Sequence, residues 1–306
     1  MPTGDAPEVA VASGVATVDV RELTGEGAVF GRAAATLGAS LVETGFVKVA
    51  GHAVAPERLA AAYAAAEAVF SLPPEVLAGY VRPELHGARG LVPFGREKAK
   101  DASIADLKEF WHVGPTGADP ANVWPEEVPA FAETMAELHA SLACTSELLL
   151  EALAVHLGLG RRHLADLVVG ADSILRVLHY PPVPDGAPAG AVRSAAHEDI
   201  NFITLLPAAT ADGLQLLDRD GRWCRVDAEP GELVVDAGDQ LSIHLGGRVP
   251  ATTHRVVNPG DPATHRYSMP FFCQPRPEVV LGPPPSVLTA GQYHAQRMED
   301  IRAGRL

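Results

Sequence analysis

The sequence predicts an α+β protein in which a mainly helical N-terminal region, residues 1–170, packs on an all-β region, residues 171–306. Three observations carry this expectation. Apolar residues recur at helical spacing through the first half, short β-rich segments bounded by turn dipeptides fill the second, and no repeat or low-complexity linker divides them. The two regions are therefore expected to share one core.

The first fifteen or so residues read as a loose arm leading into a short strand at Ala16–Val20. From Gly27 to Thr44 the residues Val29, Ala33, Leu37 and Leu41 share one helical face, and Gly45 ends the helix because glycine accepts the left-handed conformation of a C-terminal cap. Phe46–Val49 reads as a strand followed by a turn at Gly51. Pro56 opens an alanine-rich helix running to about Phe70, since proline is pre-organised for a first helical turn. Residues 71–75 form a loop and a new helix start. Between Tyr80 and Pro129 periodicity weakens, and Phe94, Phe110, Trp111 and Trp124 stand among Gly, Pro and charges. A long irregular stretch in a compact domain is more often functional than idle. A long helix follows from about Ala130 to Leu157, closed by Gly158 and Gly160. After Asp172 eight short strands are expected: Leu175–Tyr180, Asn201–Leu206, Leu214–Leu217, Trp223–Val226, Leu233–Val235, Leu241–Ile243, Thr252–Val257 and Tyr267–Cys273. Eight strands at such spacing indicate a sandwich or barrel.

Composition narrows the function. The chain is 306 residues long, 47% hydrophobic and 20% charged, as globular proteins are. A net charge of −14 argues against nucleic acid, whose binding depends on Lys and Arg contacts to phosphate. It says little about a small-molecule substrate, because the charge inside a pocket can oppose the overall field. No continuous apolar stretch is long enough to span a membrane. Met1–Ala16 lacks the basic start and apolar block of a secretory signal, so a cytoplasmic location is expected. Cys144, Cys224 and Cys273 are far apart, without the C-x-x-C pairing of a zinc knuckle. Nothing in the sequence indicates an oligomeric state.

The chemistry concentrates in the β-rich half. His197 and Asp199 are two apart at the entrance to an expected strand, so extended backbone turns both to one ion and Glu198 away. His254, in T-T-H-R-V, is the best third ligand. Two imidazoles and one carboxylate on one face of an octahedron leave positions open for substrate and dioxygen, the arrangement of non-haem iron(II) oxygenases. Arg266 and Ser268 are likewise two apart, and a guanidinium fork with a hydroxyl matches a carboxylate. Tyr180 offers a phenol to the same carboxylate. Taken singly, each has a plainer reading: His254 as a core or surface histidine, Arg266 in a surface ion pair, Tyr180 as a strand cap.

The ordered set L-R-V-L-H-Y-P-P, H-E-D-I-N-F-I-T-L-L, T-T-H-R-V and R-Y-S-M-P-F-F resembles the isopenicillin N synthase-like family of 2-oxoglutarate- and iron(II)-dependent dioxygenases. The segments E-T-G-F-V-K-V, R-G-L-V-P-F-G and D-L-K-E-F-W-H-V-G resemble its N-terminal region, so the likeness spans almost the whole chain. It implies a double-stranded β-helix (jelly-roll) core flanked by N-terminal helices, with iron held by His197, Asp199 and His254. It implies also that Arg266, Ser268 and Tyr180 hold the distal carboxylate of 2-oxoglutarate. One departure stands out: many members have asparagine two residues before the tyrosine, where this chain has Leu178.

The implied reaction couples oxidative decarboxylation of 2-oxoglutarate by dioxygen to oxidation of an unactivated C–H bond, by hydroxylation, desaturation or ring closure. The carboxylate ligand argues against halogenation. The Leu178 departure leaves open a co-substrate-free oxidase of the isopenicillin N synthase kind, and a non-catalytic β-helix binding protein is a further alternative. Arg89, Phe94, Trp111, Arg193 and Phe202 are candidates to line the substrate site, with core, loop-anchor or surface roles as the competing readings. An amino-acid-like molecule or secondary metabolite is the substrate class the family suggests.

Overall fold

A computed structural model describes residues 9–97, 104–188, 190–282 and 285–303. The expected arm therefore lies partly outside the described residues, while residues 10–12 run beside the Trp223–Arg225 strand through Ala12 N–H to Arg225 O at 2.9 Å.

The N-terminal region supplies β1 (Thr17–Asp19), α1 (Gly27–Thr44), β2 (Phe46–Ala50), α2 (Pro56–Phe70), α3 (Pro74–Ala78), β3 (Gly90–Val92), β4 (Glu109–Val113) and α4 (Ala130–His156). The β-rich region supplies β5 (Ile174–Tyr180), β6 (Ser194–His197), β7 (Ile203–Pro207), β8 (Leu214–Leu217), β9 (Trp223–Arg225), β10 (Leu233–Ala237), α5 (Asp239–His244), β11 (His254–Val256), β12 (Arg266–Ser268), β13 (Phe271–Cys273) and α6 (Ala290–Ala303). A nine-stranded sheet runs β1-β2-β10-β7-β13-β5-β4-β3, with β12 also on β5, and a four-stranded sheet runs β6-β11-β8-β9. The two form the jelly-roll. Because β1 to β4 lie in the larger sheet, the N-terminal region is part of the sandwich as well as its helical cover.

Alternation along β5 and β4 assigns the two faces of that sheet. Leu175, Val177, Trp111 and Val113 point into the apolar core shared with α1, α2 and α4. Phe110, Leu178 and Tyr180 cluster on the opposite face, toward the smaller sheet. Helix α4 has the length and apolar composition of a membrane span, and here it is the central core helix, with Phe131, Met135, Leu138 and Leu142 fully buried against α1, α2 and the sheet.

Gly45 joins the helical layer to the site. It has φ 72°, caps α1 through its N–H to Leu41 O, and a Cβ there would lie 2.3 Å from Thr252 Oγ1. Only glycine allows both the left-handed turn and this approach. Thr252, whose hydroxyl donates to Thr44 O at 2.8 Å, is thereby fixed two residues before His254.

Several elements differ from expectation, among them β6, a strand not among the eight expected. The stretch read as irregular contains β3 and β4, the latter paired along its whole length with β5. Leu241–Ile243, expected as a strand, belongs to the helix α5: its run is three residues long, too short for periodicity to separate helix from strand. Tyr267–Cys273 is broken at Met269-Pro270, where proline has no N–H for the ladder, into β12 and β13. The C-terminal tail ends in α6.

Candidate metal centre

His197 ends β6 and His254 begins β11, and the two are direct cross-strand partners in the smaller sheet. Asp199 lies just past β6, in the link to β7, rather than on the strand as its spacing suggested. Its backbone is held by the start of α5, since Asp239 N–H donates to Asp199 O at 2.7 Å and Gln240 N–H to Ile200 O. The element that the strand assignment missed thus positions Asp199, a candidate ligand. The His197, Asp199 and His254 donor atoms all lie within 4.8 Å of one another. His197 Nε2 is 3.6 Å and His254 Nε2 3.9 Å from Asp199 Oδ1. Each imidazole donates its Nδ1–H to a backbone carbonyl, of Ala195 at 2.8 Å and Thr252 at 3.2 Å, which leaves both Nε2 lone pairs aimed at the centre. Thr204 donates its hydroxyl to Asp199 Oδ2, and Glu198 turns away to accept from Thr253. Burial, reinforced by His254, pushes the His197 pKa down to about 4, so the ring is neutral at pH 7, as a ligand must be. This donor set and orientation fit a divalent transition metal.

Inward-facing side chains of the larger sheet form three rows, a mainly apolar one between two polar ones. Tyr180 lies across from Arg266, Leu178 lies between Phe110 and Ser268, and Arg176 lies beside His112. Arg266, Ser268 and Tyr180 are each 2% exposed. The Arg266 guanidinium carbon is 5.0 Å from the centre of the Tyr180 ring, its Nε–H donates to Ala211 O at 2.9 Å, and its Nη1 has no partner. A buried guanidinium with an orphaned N–H fits an anionic ligand. A cavity of about 530 Å³ reaches Arg266 and Thr264 but none of the three metal-site residues.

Only some of the five expected lining residues come near this interior. Arg193 is fully buried, with its guanidinium carbon 5.8 Å from the Tyr180 ring centre. Arg89 is fully buried elsewhere, its Nη2 2.5 Å from Asp172 Oδ1, where it joins the turn before β3 to the loop before β5. Trp111 faces the helices: its indole N–H donates to Val123 O at 3.0 Å and its ring meets Phe131 edge-on at 5.6 Å. The odd residues of β4 point outward from the sandwich, so Phe110 and His112 occupy the inner positions instead. Phe202 is fully buried in the main core, 5.7 Å from the His244 ring, and Phe94 is 38% exposed on the turn after β3.

The interior also holds charges that sequence reasoning did not single out. Lys108 Nζ is 2.8 Å from Glu97, 2.9 Å from Asp106 and 3.3 Å from Ser194 Oγ. Arg176 meets Glu97 at 3.0 Å, donates to His112 Nε2 at 2.7 Å and stacks over Phe110 and Phe272. Burial alone would raise the Glu97 pKa, but Arg176 and Lys108 outweigh it and hold the carboxyl well below its usual range. Burial and Arg176 push the His112 pKa down to about 3. Burial and then Asp199 raise the Asp236 pKa well above its usual value. The two-residue parity of Lys108, Phe110 and His112, and of Arg176, Leu178 and Tyr180, was the available signal.

Comparison with known proteins agrees with this geometry. Residues 171–275 match the 2OG-Fe(II) oxygenase superfamily, and residues 15–127 match the N-terminal model described as non-haem dioxygenase in morphine synthesis. A 2-oxoglutarate-Fe(II) type oxidoreductase, hxnY of Emericella nidulans, is 30% identical over 280 residues, covering 85% of this chain and 80% of that one. Gibberellin 20 oxidase 2 of Oryza sativa is 30% identical over 311 residues, covering 95% and 76%. A 2OG-Fe(II) oxygenase family protein from Caulobacter crescentus superposes with a TM-score of 0.83 at 37% identity, covering 96% of this chain and 99% of that one. A Neurospora crassa protein in complex with alpha-KG and thymine gives 0.83 at 25% identity, covering 96% and 98%. The chain belongs to the 2OG-Fe(II) oxygenase superfamily, the non-haem iron enzymes that use 2-oxoglutarate as co-substrate.

Proposed function

We propose that His197, Asp199 and His254 hold the iron(II) of this 2-oxoglutarate-dependent dioxygenase, and that Arg266, Ser268 and Tyr180 grip the distal carboxylate of the co-substrate. The observation that carries this reading is the convergence of two imidazole nitrogens and one carboxylate within 4.8 Å. The orphaned Arg266 Nη1 stands on the facing sheet. Bound there, iron and 2-oxoglutarate supply dioxygen activation for oxidising a C–H bond. The chain's own contributions are the carbonyl bonds that keep both imidazoles in one tautomer, the α5 amide that holds Asp199 in place, and a walled interior. The co-substrate-free alternative draws no support, because the named relatives are 2-oxoglutarate enzymes.

The substrate is a small molecule of the amino-acid-like or secondary-metabolite kind, received by the row His112–Arg176–Phe272. Arg176 keeps part of its surface free there, at 19% side-chain exposure, and offers a hydrogen-bond donor beside two aromatic faces. The Neurospora relative was solved in complex with thymine, a compact polar ring of the kind that a hydrogen-bond donor between aromatic faces can receive.

Anaerobic reconstitution with iron(II) followed by 2-oxoglutarate tests the reading. The wild-type chain is expected to bind one iron and to develop a weak visible charge-transfer band on adding 2-oxoglutarate. His254→Ala is expected to lose both iron and band. Iron binding with no band at any 2-oxoglutarate concentration sinks the co-substrate assignment, and full iron binding by His254→Ala sinks the ligand set.

A further inference from the structure

Beside Arg266 the interior holds a second guanidinium that none of the roles above uses. Arg193 immediately precedes β6, so it enters from the smaller sheet, whereas Arg266 enters from the larger. Both guanidinium carbons approach the Tyr180 ring, at 5.8 and 5.0 Å from its centre. Arg193 donates through Nη2 to Thr264 O, but its Nε and Nη1 are buried with no partner, as is Arg266 Nη1.

Lys108, ahead of β4, is neutralised by Glu97 and Asp106. Among the described residues neither Arg193 nor Arg266 has a carboxylate at ion-pair distance. Two buried guanidiniums without a counter-ion are costly, at several kcal/mol each, unless an anion completes them. Three of their N–H-bearing nitrogens are without a partner, and a carboxylate, with two oxygens and about four lone-pair sites, can accept from two guanidiniums at once.

We infer that Arg193 and Arg266 form a two-arginine clamp, closing from opposite sheets on the distal carboxylate of 2-oxoglutarate. The inference rests on the proposed role of Arg266. It gives the chain a grip on the co-substrate that does not depend on an amide at position 178, where Leu178 packs against Phe110 and Tyr180. It also makes the co-substrate a tie between the two sheets.

Binding of two 2-oxo acids separates a clamp from a structural arginine. 2-Oxoglutarate has the distal carboxylate, and 2-oxobutyrate has the same metal-binding head without it. Both are titrated calorimetrically into the full chain loaded anaerobically with iron(II), as wild type, Arg193→Met and Arg266→Met. Arg193→Met is expected to weaken 2-oxoglutarate by about 10- to 100-fold, the usual loss of a hydrogen bond to a charged group, and to leave 2-oxobutyrate unchanged. Should Arg193→Met fail to fold, Arg193→Lys keeps the charge, loses the fork and is expected to show a smaller loss confined to 2-oxoglutarate. An equal loss for both acids makes Arg193 structural and overturns the clamp. So does wild-type 2-oxoglutarate affinity in the Arg193 variant while Arg266→Met loses it. If Arg266→Met also discriminates no better or worse than wild type, the underlying co-substrate reading fails instead.

Discussion

Replacing Glu97 by Gln is expected to destabilise the chain by about 2 kcal/mol at pH 7, and by progressively less below pH ~4. Glu97 bridges Lys108 at 2.8 Å and Arg176 at 3.0 Å. Removing one partner of a fully buried pair costs about 3–5 kcal/mol, because the other charge is left uncompensated. Two features reduce that here. The Glu97 side chain is 26% exposed, and Lys108 retains Asp106 at 2.9 Å, so Arg176 is the cation left without a carboxylate. Half the fully buried figure, roughly 2 kcal/mol, is therefore the expected loss, or a melting-point drop of roughly 4 °C for a chain of this size. The pH dependence follows from the lowered Glu97 pKa. A carboxyl with a depressed folded pKa gives stability that is fully present above its unfolded pKa of about 4.3 and is lost as pH falls through the folded value. Wild type thus loses on acidification what the variant lacks throughout, and the two converge. Urea denaturation of both proteins at pH 7 and at about pH 3, inside the window between the unfolded and the lowered folded pKa, reads this out. A variant as stable as wild type at pH 7, or a difference that does not shrink by about pH 3, refutes the argument.

Trp111→Phe keeps an aromatic ring but leaves the half-buried Val123 carbonyl without its donor and the fully buried indole site partly empty, so a loss of about 1–3 kcal/mol in denaturation is expected with unchanged 2-oxoglutarate affinity. A rise in substrate KM at unchanged stability would return Trp111 to the substrate site. Gly38→Ala, on α1, places a Cβ 2.1 Å from His156 Cγ and 2.5 Å from its Cβ, too close for a rotamer change alone to relieve. It is expected to cost about 1–3 kcal/mol by urea denaturation, with iron stoichiometry intact. A neutral result means that α1 and α4 pack further apart than described.

Much of this fold was legible because punctuation in the sequence is local. Helix α1 begins and ends where Gly27 and Gly45 suggest, α2 opens at Pro56, and α4 spans Ala130–His156 against an expected end at Leu157. What escaped depends on partners distant in sequence. Strand β4 has only five residues, but its ladder with β5, more than sixty residues away, makes it part of the sheet. The three proposed metal ligands stand out in the sequence for a similar reason to the helix ends, by type, order and spacing, and the structure brings His197, Asp199 and His254 within 4.8 Å of one another. The substrate-side residues do not stand out in this way. Trp111 and Phe110 are neighbours of equal apolar character, and only the register of β4 on β5 decides that Phe110 faces inward and Trp111 toward Phe131. Arg89 and Arg193 pose the same problem: both are fully buried, yet one meets Asp172 and the other the Tyr180 ring.

The net charge of −14 is a property of the whole chain, and the interior inverts it locally. Lys108, Arg176, Arg193 and Arg266 all lie between or beside the two sheets, where the acids Glu97 and Asp106 are already engaged and burial favours the neutral form of Asp236. A dianionic co-substrate approaching from solvent meets an acidic surface whose field is screened within about 8 Å at physiological salt. Capture therefore depends on what the anion meets inside. Surface acidity can change freely with little effect on 2-oxoglutarate affinity, while a single inward-facing charge cannot, because in the dry interior an unpaired charge has neither water nor counter-ions to replace its partner.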